Sequence, residues 1–118
     1  MAQFCYIVDD VDKAAAFYTG HFGFDLEQQL GPAMAMLHRG DMALWLAVPV
    51  ASASKPMPDG AQPAPGGWNR IVISVDDLAA LVTTLREDGI EFRDEILAGT
   101  GGQQILRQDP SGNPIELF

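Results

Sequence analysis

One pattern of apolar and polar positions occurs twice in this chain, as "QFCYIVDDVDKAAAFYTGHFGF" from Gln3 and "RIVISVDDLAALVTTLREDGIEF" from Arg70. Val8-Asp9-Asp10 matches Val75-Asp76-Asp77 at a spacing of 67 residues. Each copy opens with a strand-like run and passes through Val-Asp-Asp into a helical stretch. Val11, Ala14, Ala15 and Tyr18 recur at i, i+3, i+4 and i+7, as do Leu78, Leu81, Val82 and Leu85. That spacing places each set on one face of an α-helix. Asp10 and Asp77 stand at the N-cap, where a short carboxylate accepts from orphan N–H groups of the first turn. Gly89 follows the second helix where a left-handed residue is wanted, and Gly23 follows the first, one residue out of step.

Further strand-like pieces follow each helix. In the first half they are "FDLEQQL", "AMAMLH" and "MALWLAV"; in the second, "IEFRDEIL", "GQQILRQ" and "PIELF". Gly31-Pro32, Gly40-Asp41, Gly99 to Gly102 and "DPSGN" separate them. Asp109, Pro110 and Gly112 suit a type I turn, and Asn113 before a proline is pushed extended into the last strand. Each half therefore reads strand, helix, strand, strand, strand. Laying Met42 to Leu46 on Pro114 to Phe118 matches Leu44 with Glu116 and Trp45 with Leu117. Between the halves lies a segment with five of the chain's eight prolines, which forbid an interior strand. The resulting division is a first unit over residues 1–48, a Pro/Gly-rich linker over 49–67 and a second unit over 68–118, sharing one compact domain.

Composition narrows the function classes. At 118 residues with 47% apolar positions, the chain is long enough for one core and too apolar for disorder. Its net charge of −9 repels phosphate backbones, so nucleic acid is not an expected partner, while a cationic ligand would be attracted. Cys5 is the single cysteine, which excludes an internal disulfide. The N-terminal "MAQFCYIVDD" has no signal-peptide pattern, and "MALWLAVPVA" is too short to span a bilayer. The expectation is a cytoplasmic protein with no membrane partner.

The duplicated units, with "FYTGHFGF" early and "DPSGNPIELF" late, resemble the vicinal oxygen chelate superfamily, which includes glyoxalase I, bleomycin-resistance proteins and extradiol dioxygenases. The likeness covers nearly the whole chain. It implies an α+β fold of two βαβββ units whose curved mixed sheets form a cup. It also implies a homodimer, an expectation reinforced by size, since neither half is large enough to bury its own sheet. Metal-dependent members carry His, Glu or Gln ligands on the first and last strand of each unit. The matching positions here are Gln3, Leu44, Arg70 and Glu116. Glu116 is a good ligand and Gln3 a weak one. Leu44 coordinates nothing, and Arg70 is a permanent cation that repels a divalent metal.

Alternation in the last strand puts Ile115 and Leu117 under the helix and Glu116 on the opposite face. The same rule puts Ile71, Ile73 and Val75 under the helix and Arg70, Val72 and Ser74 with Glu116. The resemblance then makes Arg70 and Glu116 neighbours inside the cup, where Arg70 takes the place of a metal and either orients Glu116 or binds an anionic group. The competing reading is a structural ion pair. Gln3, Leu44, Trp68, Arg70 and Glu116 are the expected ligand-binding residues, with Glu116 as the catalytic candidate. Trp45 is assigned to the helix-side core, Cys5 to a small packed apolar site, His21 and His38 to structural roles, and Gly99 to Gly102 to a flexible loop over the cup mouth. The resulting expectation is a small-molecule-binding protein without cofactor, of the bleomycin-resistance type and leaning away from catalysis. The alternatives are a metal-dependent lyase or dioxygenase using Gln3 and Glu116, and a metal-free isomerase with Glu116 as proton acceptor.

Overall fold

The computed structural model describes residues 2–49, 58–67, 69–93, 95–99 and 102–118. The chain forms two compact units, Met1–Gly66 with Pro110–Asn113, and Gly67–Asp109 with Pro114–Phe118. In the first, β1 (Ala2–Ile7) leads into α1 (Val11–His21), followed by β2 (Asp25–Leu30), β3 (Met34–Arg39) and β4 (Met42–Ala47). The second repeats this sequence of elements with β5 (Ile71–Ile73), α2 (Leu78–Glu87), β6 (Leu97–Gly99), β7 (Gly102–Gln108) and β8 (Pro114–Leu117). Each unit is thus βαβββ, and each sheet is mixed. The strand orders are β1-β4-β3-β2 and β5-β8-β7-β6. In both, the first strand pairs parallel with the last and the remaining pairs are antiparallel.

Both helices start as their caps dictate. Asp10 Oδ1 accepts from Lys13 N at 3.1 Å, and Asp77 Oδ1 accepts from Ala80 N at 3.0 Å. α1 ends where Gly23 enters the left-handed region at φ 71°, and the N–H groups of Phe22 and Phe24 both donate to Tyr18 O. That turn gathers Phe17, Tyr18, Phe22 and Phe24, with ring centroids 5.2–5.5 Å apart. Tyr18 is completely buried.

One face of the first sheet lies under α1. Leu37 pairs with Leu44, and Ala35 with Leu46, and all four are fully buried. Two contacts fix this face as the helix side. Arg39, two positions from Leu37, donates through Nε to Phe22 O at 3.0 Å, just beyond α1. Gln29, paired with Ala35, donates through Nε2 to Asp12 Oδ1 of α1 at 2.6 Å. The second unit has the same layering. Ile71, Ile73, Ile105, Ile115 and Leu117 are buried, as are Leu78, Val82 and Leu85 of α2.

The turn between β7 and β8 groups with the first unit. Asn113 is buried; its Oδ1 accepts from Gly66 N at 2.8 Å and its Nδ2 donates to Ile7 O at 2.9 Å. Ser111 Oγ accepts from Asp9 N at 2.9 Å.

Two expected features differ. "IEFRDEIL" alternates as a strand does, with Ile90 and Phe92 half-buried and Glu91 and Arg93 exposed, yet among its described residues only Leu97 enters a ladder. Among its described residues before Leu97, Arg93 N donates to Leu106 O of β7 at 2.8 Å. Arg107 Nη1 donates to Glu91 O, and the Arg86 guanidinium stands over the Phe92 ring, so side chains hold it instead. Alternation reports which face is wetted and does not by itself report pairing. The Gly99 to Gly102 stretch is a hairpin and not an open loop, because Gly99 pairs with Gly102 and Leu97 with Gln104. Thr100 and Gly101 lie outside the described residues.

Asn113→Ala removes one acceptor and one donor, leaving the Gly66 N–H and the Ile7 carbonyl without that partner. It is expected to cost about 1–3 kcal/mol in urea unfolding. Asp10→Ala and Asp77→Ala should each cost about 1 kcal/mol.

Candidate functional site

The closing strand of each unit determines what its non-helical face presents. In the second unit Ile71 pairs with Ile115, Val72 with Glu116 and Ile73 with Leu117. Ile115 and Leu117 are fully buried on the helix side. Glu116 therefore lies on the opposite face with Val72, which is 51% exposed, and with Leu106. Arg70, two residues before Val72, shares that face. Its Nε donates to Glu116 Oε2 at 2.6 Å, a charge-assisted bond. The Glu116 side chain is 11% exposed and that of Arg70 is 32% exposed. The carboxylate is thus buried while its cation partner remains reachable from solvent.

Leu44 is on the other side of its sheet from the place the sequence comparison gives it. It pairs with Phe4 and Leu37 and is fully buried under α1. The counterpart of Glu116 is Trp45. Phe4 with Leu44 matches Ile71 with Ile115, Cys5 with Trp45 matches Val72 with Glu116, and Tyr6 with Leu46 matches Ile73 with Leu117. Trp45 is half-buried and leaves the helix-side core to Leu44 and Leu46. The offset arises in the turns. Gly40-Asp41 is a two-residue connection closing on the pair Arg39–Met42, on the helix side. The turn from Asp109 to Asn113 closes on Gln108–Pro114, on the Glu116 side. Two closing strands that begin on different faces differ by one residue in register, and a shift of one exchanges the faces. The unequal turn lengths were a readable signal for this.

Gln3 is exposed, pairs with Ala43 and alternates with Cys5 on the Trp45 face. Trp68 lies outside the described residues. Cys5 is exposed and not packed as a core residue, since its strand is at the edge of the sheet. Surrounding protein atoms still desolvate its sulfur enough to push the thiol above its ordinary value. His21 packs edge-on against Phe17 at 5.6 Å near the end of α1, a structural setting. His38 is on β3, paired with Ala43 and Asp25.

The sequence profile of the Glyoxalase/Bleomycin resistance protein/Dioxygenase superfamily matches residues 1–117. The chain belongs to this superfamily. Among solved structures it is similar to lactoylglutathione lyase from Agrobacterium tumefaciens, with 24% identity, a TM-score of 0.79, and coverage of 99% of this chain and 90% of that one. It is also similar to a superfamily member from Sphaerobacter thermophilus, with 27% identity, a TM-score of 0.77, and coverage of 99% and 94%. A virulence protein from Salmonella typhimurium shares 20% identity at a TM-score of 0.75, with 99% and 93% covered. No curated protein matches the chain in sequence.

Set against the metal-dependent members of the superfamily, the side chains at the corresponding positions do not form a donor set. Glu116 has one oxygen committed to a guanidinium, Arg70 carries a fixed positive charge, and Trp45 offers an indole N–H that can only donate. Gln3 is left as an amide oxygen on an exposed edge strand.

Three measurements check this geometry. Leu44→Ala should cost about 2–5 kcal/mol in urea unfolding, and Trp45→Leu about 1 kcal/mol or less. Arg70→Leu strands a buried carboxylate and should cost about 1–3 kcal/mol, below a fully buried pair because solvent reaches the arginine. The double variant with Glu116→Leu should recover part of that loss. Because the Cys5 pKa is raised, less thiolate is present at any given pH. Alkylation of Cys5 by iodoacetamide should therefore reach half its maximal rate at a higher pH than for free cysteine.

Proposed function

We propose that this protein binds a small organic molecule on the non-helical faces of its sheets without a metal ion, with Arg70 and Glu116 as the polar recognition pair. The observation that carries this reading is the 2.6 Å bond between Arg70 Nε and Glu116 Oε2 at positions where metal-dependent relatives carry ligands. A guanidinium there can bind an anionic or carbonyl group of a ligand, and the carboxylate holds that guanidinium in place. Gln3 and Trp68 belong to the same proposal as ligand contacts. The homodimer and the cytoplasmic setting expected from the sequence are also part of it. Leu44 is not, since its side chain is in the helix-side core. Among the described residues no helix is long and apolar enough to cross a membrane.

The role of Glu116 as a proton acceptor is a narrower reading. Its Oε2 already accepts from Arg70 Nε at 2.6 Å, so that oxygen is engaged in holding the guanidinium. Recognition therefore fits the pair better than base catalysis.

The test is a thermal-shift screen of tag-free protein with small organic cations, carboxylates and neutral heterocycles, accompanied by elemental analysis. A ligand at a hundred times its Kd adds ~2.7 kcal/mol, a rise in Tm on the order of 10 °C for a domain of this size. Arg70→Leu should abolish the shift for any ligand carrying an anionic or carbonyl group, while Glu116→Gln, which can still accept from Arg70, should keep most of it. Stoichiometric zinc, nickel, iron or manganese in the purified protein would overturn the metal-free reading.

A further inference from the structure

The two units pair their first and closing strands in the same way and present different chemistry at equivalent places. Where β8 carries Glu116, β4 carries Trp45, half-buried on the face turned away from α1. The pairing extends from Trp45 to Cys5 on β1 and to Met36 on β3, so an indole is flanked by a thiol and a thioether. Met34, one step along the same face of β3, pairs with Ala47. Half-exposed tryptophan and methionine form a polarisable, adaptable surface, and an indole face attracts cations through its quadrupole.

The charge on this face has a single sign. Among its described, register-paired residues Asp25 is the only Asp, Glu, Lys or Arg, and the imidazole of His38 is paired beside it. Arg39, the one cation in these strands, is turned to the helix side and bound to Phe22 O. The net charge of −9 adds a long-range attraction for positive ligands.

We infer that Trp45 is the specificity-determining residue of the first sheet, and that it stacks on a planar aromatic cation. This rests on the binding function proposed above and narrows its ligand class. A flat ring matches the indole in shape, and a positive charge is favoured by the quadrupole, by Asp25 and by the absence of Lys or Arg on that face.

The probe is 1-methylquinolinium. Two comparators separate shape from charge: naphthalene-2-carboxylate has the same outline with opposite charge, and trimethylcyclohexylammonium has the charge without the aromatic ring. Binding is measured by titration calorimetry, and Trp45 is followed by fluorine NMR of 5-fluorotryptophan-labelled protein, its signal assigned with Trp45→Phe. Methylquinolinium should bind and move the Trp45 resonance, and each comparator should move that resonance only at concentrations at least about tenfold higher. Trp45→Leu should weaken methylquinolinium about tenfold, while Trp45→Phe keeps most of the affinity. A single cooperative urea transition in both variants, complete only well above the binding conditions, excludes loss of the fold as the cause. An unmoved Trp45 signal in the bound state, unchanged affinity in Trp45→Leu, or a Trp45 signal that the naphthoate moves at the same concentrations each overturns the inference. So does failure of methylquinolinium alongside a ligand found in the thermal-shift screen, an outcome that leaves the binding function standing. Failure of every compound in both experiments overturns the two together.

Discussion

A strand side chain can point only to one face of its sheet or the other, and in this protein that choice is made by the parallel pairing of the first and closing strands in each unit. The pairs Phe4–Leu44 and Ile71–Ile115 fix everything around them. They send Leu37, Leu44 and Leu46 under α1, and they bury Ile71, Ile115 and Leu117 in the second unit. They also decide which residue of each closing strand is left on the far face: Trp45 in one, Glu116 in the other. A one-residue slip in β4 would bury the tryptophan and expose two leucines. The fully buried layer beneath α1 resists such a slip, since each leucine sacrificed would cost on the order of 2 kcal/mol.

The Arg70–Glu116 pair depends on that register and in turn shapes the far face of the second sheet. A carboxylate with only 11% of its side chain exposed needs a counter-charge, and Arg70 supplies it through a single short bond. The Arg70 side chain is one-third exposed, so the ion pair remains reachable from solvent. Val72, exposed beside it, adds apolar surface to the same face. The first sheet has no comparable charge pair there. Among its described, register-paired residues Asp25 is the only charge on the far face, which carries an indole and sulfur atoms instead. The two units keep the same backbone pairing and carry different side chains at equivalent positions, so their far faces differ in chemistry.

Much of the architecture was legible along the chain. The two helices begin at Asp10 and Asp77 because a cap is a local event, settled by a few residues and their own backbone. The βαβββ order followed from period and turn chemistry, and the opposition of Glu116 to Ile115 and Leu117 followed from alternation within one strand. Where reading failed, it had carried a local rule across a loop. "IEFRDEIL" alternates because one side faces protein, yet no neighbouring strand pairs with most of it. Leu44 and Trp45 exchanged faces because the turns before β4 and β8 differ in length, a difference that matters only once each closing strand is docked on its partner.

The sequence by itself determined the superfamily, the duplicated unit, the caps and the face on which Glu116 lies, since each is encoded within a few neighbouring residues. Tertiary structure alone decided that Trp45 is the counterpart of Glu116, that Arg70 reaches the carboxylate through Nε, and that Asn113 ties the last turn to Ile7 and Gly66. The physical reason is that pairing register and side-chain contact join residues many positions apart, where local periodicity carries no information about which partner is met.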